Sequence, residues 1–235
     1  VSTQGMEAGL GWALLLSLAP ALLIGIANGI GVGIFRVHPL IMTLGTSLIG
    51  VGFLQVYQRT VIATGTKVPD VLAWIGTGLT GGIPNSLIVF VPVAAFILFM
   101  LGRSGFGRLL YAVGDNERAA RLSGVIYWKV ILALYILSGI LAWIAGLIYV
   151  GLIKAPSLSL VEPRVLPAVA AAVIGGTSIF GGRGGYLGTI VGAVILTVLA
   201  TLLTVLQMPE GARQMLFGLI VLAVTAAYIR ITADS

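Results

Sequence analysis

The chain has 235 residues, of which 59% are hydrophobic and only 9% are charged, and its mean hydropathy is +1.13. Soluble domains carry about 25% charged residues, so this composition excludes an ordinary water-soluble domain and indicates a protein that lies in the bilayer. The absence of cysteine excludes disulfides and thiolate chemistry, and a single histidine, His38, argues against a metal site. We assign the net charge of +6 to cationic loops at the membrane surface rather than to nucleic-acid binding.

Seven long apolar stretches without Asp, Glu, Lys or Arg follow one another along the chain, each to be compared with the roughly 20 residues that span a bilayer. They are residues 8–35, 37–58, 71–102, 130–153, 165–182, 184–209 and 214–229. They predict an all-α fold, a polytopic transmembrane helical bundle in a single domain, residues 1–235. The short stretch 165–182 contains Pro167 and Gly175-Gly176, so we expect a half-helix or re-entrant segment there.

Glycines recur every four residues in two places. The two series are Gly25, Gly29, Gly33 and Gly184, Gly188, Gly192. Such a series forms a groove on one helix face in which a neighbouring backbone can approach closely. We therefore expect helix packing at both places, with a surface that lines a transport pathway as the alternative.

Polar side chains in or beside the apolar stretches form a second candidate set, because polar groups at membrane depth usually face the bundle or an aqueous cavity. The set is Asn28, Thr43, Thr46, Ser47, Thr177 and Ser178. A serine or threonine can equally bond to its own helix backbone. The absence of charge within the stretches argues against a proton-coupled pump, a voltage sensor and an intramembrane protease.

The glycine-rich run from Gly175 to Arg183 resembles a phosphate loop only superficially. It lacks the Gly-Lys-Ser/Thr ending whose lysine reaches the terminal phosphates. We expect no nucleotide site, no cofactor and no enzymatic activity in this chain.

The distribution of Lys and Arg predicts the orientation. With residues 103–129 in the cytoplasm and the segments alternating from there, the inside set is larger than the outside set and the C-terminus is cytoplasmic. The inside set is Arg36, Arg103, Arg108, Arg118, Arg121, Lys129, Arg183 and Arg230, and the outside set is Arg59, Lys67, Lys154, Arg164 and Arg213.

A short helix is predicted within this charged loop. Asp115 or Asn116 can cap its N-terminus, Glu117 falls in the first turn, and Arg121 follows Glu117 at the i,i+4 spacing of an ion pair. Gly124 is a suitable C-terminal stop. The helix is either an ordinary solvated loop helix or a docking helix for a cytoplasmic partner.

Three segments, in order along the chain, carry a resemblance to a known family. Residues 111–124 read YAVGDNERAARLSG, close to the pattern A-[IV]-G-G-N-x-x-A-A-R-L-S-G-[IV], with Asp115 where the second glycine is usual. Residues 29–46 contain Arg36, Pro39 and the run TLGT, and residues 171–192 contain GGTS, GGRG and GT. The chain resembles the membrane-spanning permease subunits of bacterial ABC importers for simple sugars of the ribose, xylose, galactose and arabinose type, which are grouped with branched-chain amino-acid permeases.

The resemblance implies an inner-membrane permease subunit that imports a small hydrophilic solute, with a monosaccharide as the first expectation. A nucleoside, an autoinducer, a branched-chain amino acid, a membrane-embedded enzyme and a non-transporting scaffold are the alternatives. The implied partners are a second permease subunit in a homo- or heterodimer, two cytoplasmic ATPase subunits that bind ATP and magnesium, and a periplasmic or lipid-anchored solute-binding protein. Family members are longer, so we expect this chain to lack N-terminal spans.

The resemblance also implies roles for individual residues. The segment that would contact the ATPase consists of Asp115, Asn116, Glu117, Arg118, Ala119, Ala120, Arg121, Leu122, Ser123 and Gly124. The elements at 37–58 and 165–192 would contribute to the pathway, with Asn28, Thr43, Gly45, Thr46, Ser47, Gly175, Gly176, Thr177 and Ser178 as candidate residues.

Overall fold

The computed structural model of the chain describes residues 9–61, 68–154, 165–178 and 181–233. The regular elements in these residues are helices, apart from one short hairpin, so the predicted all-α class is confirmed. In chain order they are α1 (Leu10–Gly33), α2 (Pro39–Val61), α3 (Asp70–Thr77), β1 (Leu79–Thr80), β2 (Ile83–Pro84), α4 (Asn85–Arg103), α5 (Gly105–Asp115), α6 (Glu117–Leu122), α7 (Tyr127–Ile153), α8 (Val165–Ile174), α9 (Tyr186–Val205) and α10 (Glu210–Ala233).

Five helices among the described residues are long and apolar enough to cross a bilayer. They are Leu10–Gly33, Pro39–Tyr57, Asn85–Arg103, Tyr127–Ile153 and Tyr186–Val205. Each falls within one of the predicted stretches or overlaps most of it. The 214–229 stretch lies inside α10, and the 165–182 stretch contains the ten-residue α8, which at 1.5 Å per residue is about half a bilayer long.

The prediction of one continuous segment at 71–102 is wrong. That stretch divides into α3, a hairpin in which β1 pairs antiparallel with β2, and the spanning helix α4. The turn of the hairpin consists of Gly81 and Gly82, whose φ values of 61° and 83° suit glycine. Charge could not reveal this break, because an uncharged glycine turn interrupts the helix.

Asn85 holds the hairpin to α3. Its side chain is 1% exposed, its amide Nδ2 donates to the Trp74 carbonyl at 2.9 Å, and its Oδ1 accepts from the Thr80 hydroxyl at 2.7 Å. The backbone N–H of Asn85 donates to the Gly78 carbonyl at 3.0 Å. A buried amide with its donor and acceptor both used fixes the entry into α4.

The chain divides into two compact units, the first comprising residues 1–96 and 121–158 and the second comprising residues 97–120 and 159–235. In the first unit α1 packs on α7 and on α2, and α3 packs on α7. A Cβ on Gly25 would lie 2.7 Å from the Tyr135 carbonyl oxygen, and one on Gly29 would lie 2.9 Å from Leu132 Cα. The first glycine series is therefore a helix-packing surface, as predicted.

In the second unit α8 packs on α9 and on α10. A Cβ on Gly188 would overlap the Gly175 backbone, and one on Gly192 would overlap that of Ala171, so these two members of the second series also pack helices. Gly184 precedes α9 and does not belong to its helical face; it has a φ of 143° and lies against Thr177. The small core of this unit consists of Ala170, Ala171, Leu196 and Phe217.

Candidate functional site

The loop between the spanning helices α4 and α7 consists of two helices rather than the one predicted. The additional helix, α5, begins after Ser104, whose hydroxyl oxygen accepts from the Gly107 N–H at 3.2 Å. A serine N-cap satisfies one of the first free N–H groups of a helix. The sequence signal for α5 is Ser104 directly before apolar residues at helical spacing, which are Phe106, Leu109, Leu110 and Val113.

Asn116 separates α5 from α6 and, of the two residues predicted to cap α6, is the one that does so. Its Oδ1 accepts from the Ala119 N–H at 2.9 Å, whereas Asp115 is the last residue of α5. At the other end Gly124 has a φ of 84° and its N–H donates to the Arg121 carbonyl at 3.0 Å, which confirms the predicted stop. The Glu117–Arg121 ion pair remains a prediction.

Helix α6 exposes an apolar side chain and a charged one at its surface. Leu122 is 85% exposed, and Arg118 and Ala119 are exposed, whereas Ala120 is buried. Leu122, Arg118 and Ala119 therefore lie on the surface of α6.

The glycine-rich loop before α9 lies against α5. The Tyr111 hydroxyl donates to the Gly184 carbonyl at 3.1 Å, and a Cβ on Gly182 would lie 2.7 Å from Asp115 Cα. Gly182 has a φ of 73°, so both its conformation and its close approach require glycine. The structure thus brings together residues 111–115 and 181–184, two segments that the sequence identified separately. The sequence alone could not predict this contact, because contacts between residues so far apart in the chain depend on the fold.

The predicted half-helix α8 ends where the sequence places the Gly175-Gly176 pair. Gly176 has a φ of 83°, and the Gly175 N–H still donates to Ala171. Thr177 and Ser178 follow in the turn, where the Thr177 and Thr189 hydroxyl oxygens are 3.3 Å apart and the Ser178 N–H donates to the Arg183 carbonyl at 2.9 Å. The end of α8 leaves its last carbonyl groups without partners inside the helix.

The candidate residues of the first unit separate into two kinds. Asn28 is 7% exposed, and its Oδ1 accepts from the Thr46 hydroxyl at 2.8 Å, which joins α1 to α2. Thr43 instead bonds to its own helix at the Pro39 carbonyl, 2.9 Å away. Gly45 and Ser47 lie exposed on α2.

The site residues carry no metal-binding constellation. Among the described residues, no group of three or more His, Asp or Glu side chains could hold a metal ion. The described candidate residues offer hydroxyls, an amide, glycine turns and exposed helix faces.

In the part of the chain that the structure describes, five apolar helices of spanning length, with the short helix α8 that ends at a glycine turn, define a multi-pass membrane protein. The chain belongs to the family of branched-chain amino acid transport system permease components, whose family model matches residues 1–225. The members of this family are described as permease components of a transport system.

Curated relatives agree with this membership. The chain is 37% identical over 188 residues to the ribose import permease protein of Escherichia coli K12, covering 77% of this chain and 59% of that protein. It is 32% identical over 195 residues to the ribose import permease protein of Bacillus subtilis, covering 83% and 61%. It is 30% identical over 222 residues to an autoinducer 2 import system permease protein of Klebsiella pneumoniae, covering 91% and 67%.

The chain therefore spans about three fifths of the length of the ribose permeases that it matches. No solved structure matches it.

Proposed function

We propose that this chain forms the membrane-spanning part of a permease subunit of an ATP-binding-cassette importer for a monosaccharide in the bacterial inner membrane. The observation that carries the proposal is α6, a capped helix with an exposed Leu122, placed between two spanning helices of a chain from a permease family. The relatives named for ribose import support a sugar as the solute.

In the proposed mechanism, ATP and magnesium bind to two partner ATPase subunits, and residues 115–124 contact those subunits. Nucleotide binding and hydrolysis shift the permease between inward-open and outward-open states by moving this segment. The chain supplies the moving walls of the pathway together with a second permease subunit. A periplasmic or lipid-anchored binding protein delivers the solute.

The contact between α5 and the 181–184 loop supports the proposed orientation. Tyr111 lies in the loop that we place in the cytoplasm, and its hydrogen bond to Gly184 brings Arg183 to that same side. Alternation of the segments from residues 103–129 assigns Arg183 to that side as well. With Arg183 in the cytoplasm, crossings by α9 and α10 leave the C-terminus in the cytoplasm.

The pathway is proposed to use the Asn28–Thr46 pair and the turn from Gly175 to Ser178. Each offers neutral hydrogen-bonding groups, and the long apolar stretches contain no charged residue. Because a charged solute would lack a counter-charge there, the solute is neutral or zwitterionic. Thr43, Gly45 and Ser47 on α2 are included because they share a helix with Thr46.

A second solute class is favoured by one relative. The Klebsiella protein, which is named for import of autoinducer 2, covers more of this chain than the ribose permeases do. The ligand bound to the co-purified solute-binding protein, identified by mass spectrometry, distinguishes a monosaccharide from an autoinducer, a nucleoside or a branched-chain amino acid.

The docking role of α6 is tested by reversing its charges. The double variant Glu117→Lys with Arg121→Glu is expressed with the ATPase subunits, and solute uptake and ATPase activity are measured. We expect uptake to fall more than about tenfold, because reversed charges at a docked surface cost several kcal/mol, while membrane insertion persists. Arg103→Gln, at the end of α4 and outside the proposed docking segment, is the control.

Unchanged uptake in the double variant, with the ATPase still stimulated by solute, would show that α6 is an ordinary solvated helix. Failure to co-purify any ATPase subunit with the wild-type chain would favour a non-transporting scaffold.

A further inference from the structure

A cleft of about 480 Å³ lies in the first unit where three spanning helices begin or end. Helix α1 ends at Gly33, α2 begins at Pro39 and α7 begins at Tyr127. Six of the residues that line the cleft are Ile34, Arg36, Arg121, Ile126, Tyr127 and Trp128. Of these residues, the proposed transport mechanism uses only Arg121.

Two guanidinium groups share one aromatic ring in the cleft. The Arg36 Cζ lies 5.5 Å from the centroid of the Tyr127 ring, and the Arg121 Cζ lies 5.1 Å from it. Both guanidinium groups therefore lie near the same ring, and the distance between their Cζ atoms is at most the sum of these two distances. The Lys129 Nζ lies 5.8 Å from the neighbouring Trp128 ring.

The lining of the cleft is cationic, since both charged residues among the described lining residues are arginines, Arg36 and Arg121. Lys129 adjoins this lining through its contact with Trp128. Cation–π contacts stabilise a guanidinium but do not neutralise it. Arginine pairs that converge on one point bind phosphate oxygens through parallel N–H donors.

Exposed apolar side chains adjoin these cations. Ile34 is 53% exposed, Phe35 is 73% exposed and Ile126 is 49% exposed, and Trp128 adds an aromatic ring at the boundary between span and loop. Tryptophan and tyrosine prefer the headgroup level of a bilayer. The surface is therefore cationic at one point and apolar directly beside it.

We propose that this cleft binds an anionic phospholipid, with its headgroup phosphate at Arg36 and Arg121 and its acyl chains along Ile34 and Phe35. A soluble phosphate would use the guanidinium groups but leave the apolar residues without a partner, and an acidic segment of a protein would do the same. Basic pockets between spanning helices are known to bind anionic lipid headgroups. The backbone of Arg36 has a φ of 57°, an uncommon conformation for a residue other than glycine, which occurs where the chain turns from α1 towards α2.

The proposal needs only the position of the cleft at the membrane surface. It holds or fails independently of the importer proposal, because the measurement uses the purified chain and no transport. Arg121 belongs to both proposals, so the main test uses Arg36.

The test measures lipid retention by native mass spectrometry on the full chain, with phosphatidylglycerol and phosphatidylcholine of equal acyl length. We expect the wild-type protein to retain phosphatidylglycerol preferentially. Arg36→Gln should lower its apparent affinity about fivefold, and Arg36→Gln with Arg121→Gln about thirtyfold, since each basic residue near a lipid surface contributes about 1 kcal/mol. Arg36→Lys should retain part of the preference, and Arg103→Gln, an exposed arginine at the end of another span, should retain all of it.

Equal retention of the two lipids by the wild-type protein would overturn the proposal, as would a preference unchanged in Arg36→Gln. Competition by glycerol phosphate as strong as that by the lipid would assign the cleft to a soluble phosphate instead. An acidic peptide that binds the wild-type protein but not Arg36→Gln, with lipid retention unaffected, would assign it to a protein partner. If the double variant is not monodisperse, the comparison of Arg36→Gln with Arg36→Lys decides whether the charge of residue 36 contributes to lipid binding.

Discussion

Glycine in this chain lies at points where two backbones meet. Gly76 of α3 lies so close to α7 that a Cβ on it would overlap the main chain of Gly151, and a Cβ on Gly151 would overlap the Leu72 carbonyl group of α3. Gly25 and Gly29 have the same role between α1 and α7. Lipid supplies no hydrophobic driving force between helices, so close backbone contact and van der Waals packing hold them together.

Gly25→Ala tests this role at a single residue. Its methyl group would lie 2.7 Å from the Tyr135 carbonyl oxygen, a backbone atom that cannot rotate away. We expect a loss of about 1–3 kcal/mol in the free energy of unfolding, the usual cost of overpacking. The measurement is reversible unfolding in mixed micelles.

Gly146→Ala is the matched control, because a Cβ at Gly146 of α7 meets no atom within 4 Å. It should leave stability unchanged or slightly raise it, since alanine favours a helix more than glycine does. Equal destabilisation by the two substitutions would contradict the packing role of Gly25.

At the scale of elements, caps and glycine turns decide where the helices end. Asn85 and the Gly81-Gly82 turn separate α3 from α4 within one uncharged stretch. Asn116 separates α5 from α6, and Gly124 ends α6. Each break satisfies backbone groups that a helix end would otherwise leave free.

Asn116→Ala should loosen α6. It removes the acceptor of the Ala119 N–H in a helix of only six residues, and loss of such a cap costs about 1 kcal/mol. We expect faster amide hydrogen exchange in residues 117–122 and weaker association with the ATPase subunits. Asn116→Asp keeps the acceptor and should restore slow exchange.

Exchange in Asn116→Ala that equals the wild-type rate would mean that packing of Ala120, and not the cap, holds α6 in place. Loss of ATPase association without faster exchange would point to a direct contact of Asn116 with the partner.

At the scale of the whole molecule, orientation is the property on which the proposed function most depends. An importer requires α6 in the cytoplasm, where the ATPase subunits are, and the hairpin before α4 on the opposite side. Each of these two elements carries an exposed leucine: Leu122 in α6 is 85% exposed, and Leu79 in the hairpin is 69% exposed.

The absence of cysteine makes the orientation directly measurable, because an introduced cysteine is the single reactive thiol. A membrane-impermeant maleimide should label Leu79→Cys in intact cells and Leu122→Cys only after permeabilisation. The two substitutions replace the same residue type and change no charge, so they preserve the distribution of Lys and Arg. The reverse labelling pattern would exclude contact between α6 and a cytoplasmic ATPase.

The amino-acid sequence by itself determined the membrane location, the helical class, the glycine packing series and the short capped helix at Glu117. These follow from local properties: uninterrupted hydropathy, residue spacing and the chemistry of caps. Its errors at 71–102 and at α5 arose because charge was taken as the marker of every boundary, whereas glycine and serine mark these boundaries without charge.

Only the tertiary structure decided which distant segments meet. It joins Asn28 to Thr46, Tyr111 to Gly184 and Arg36 to Tyr127. Such contacts depend on how the helices pack. The sequence of a spanning helix does not show which neighbour it packs on, because its outward faces carry similar apolar residues whichever neighbour that is. Hydropathy can therefore locate the long apolar helices of this chain, but pairing them requires the positions of close backbone approach.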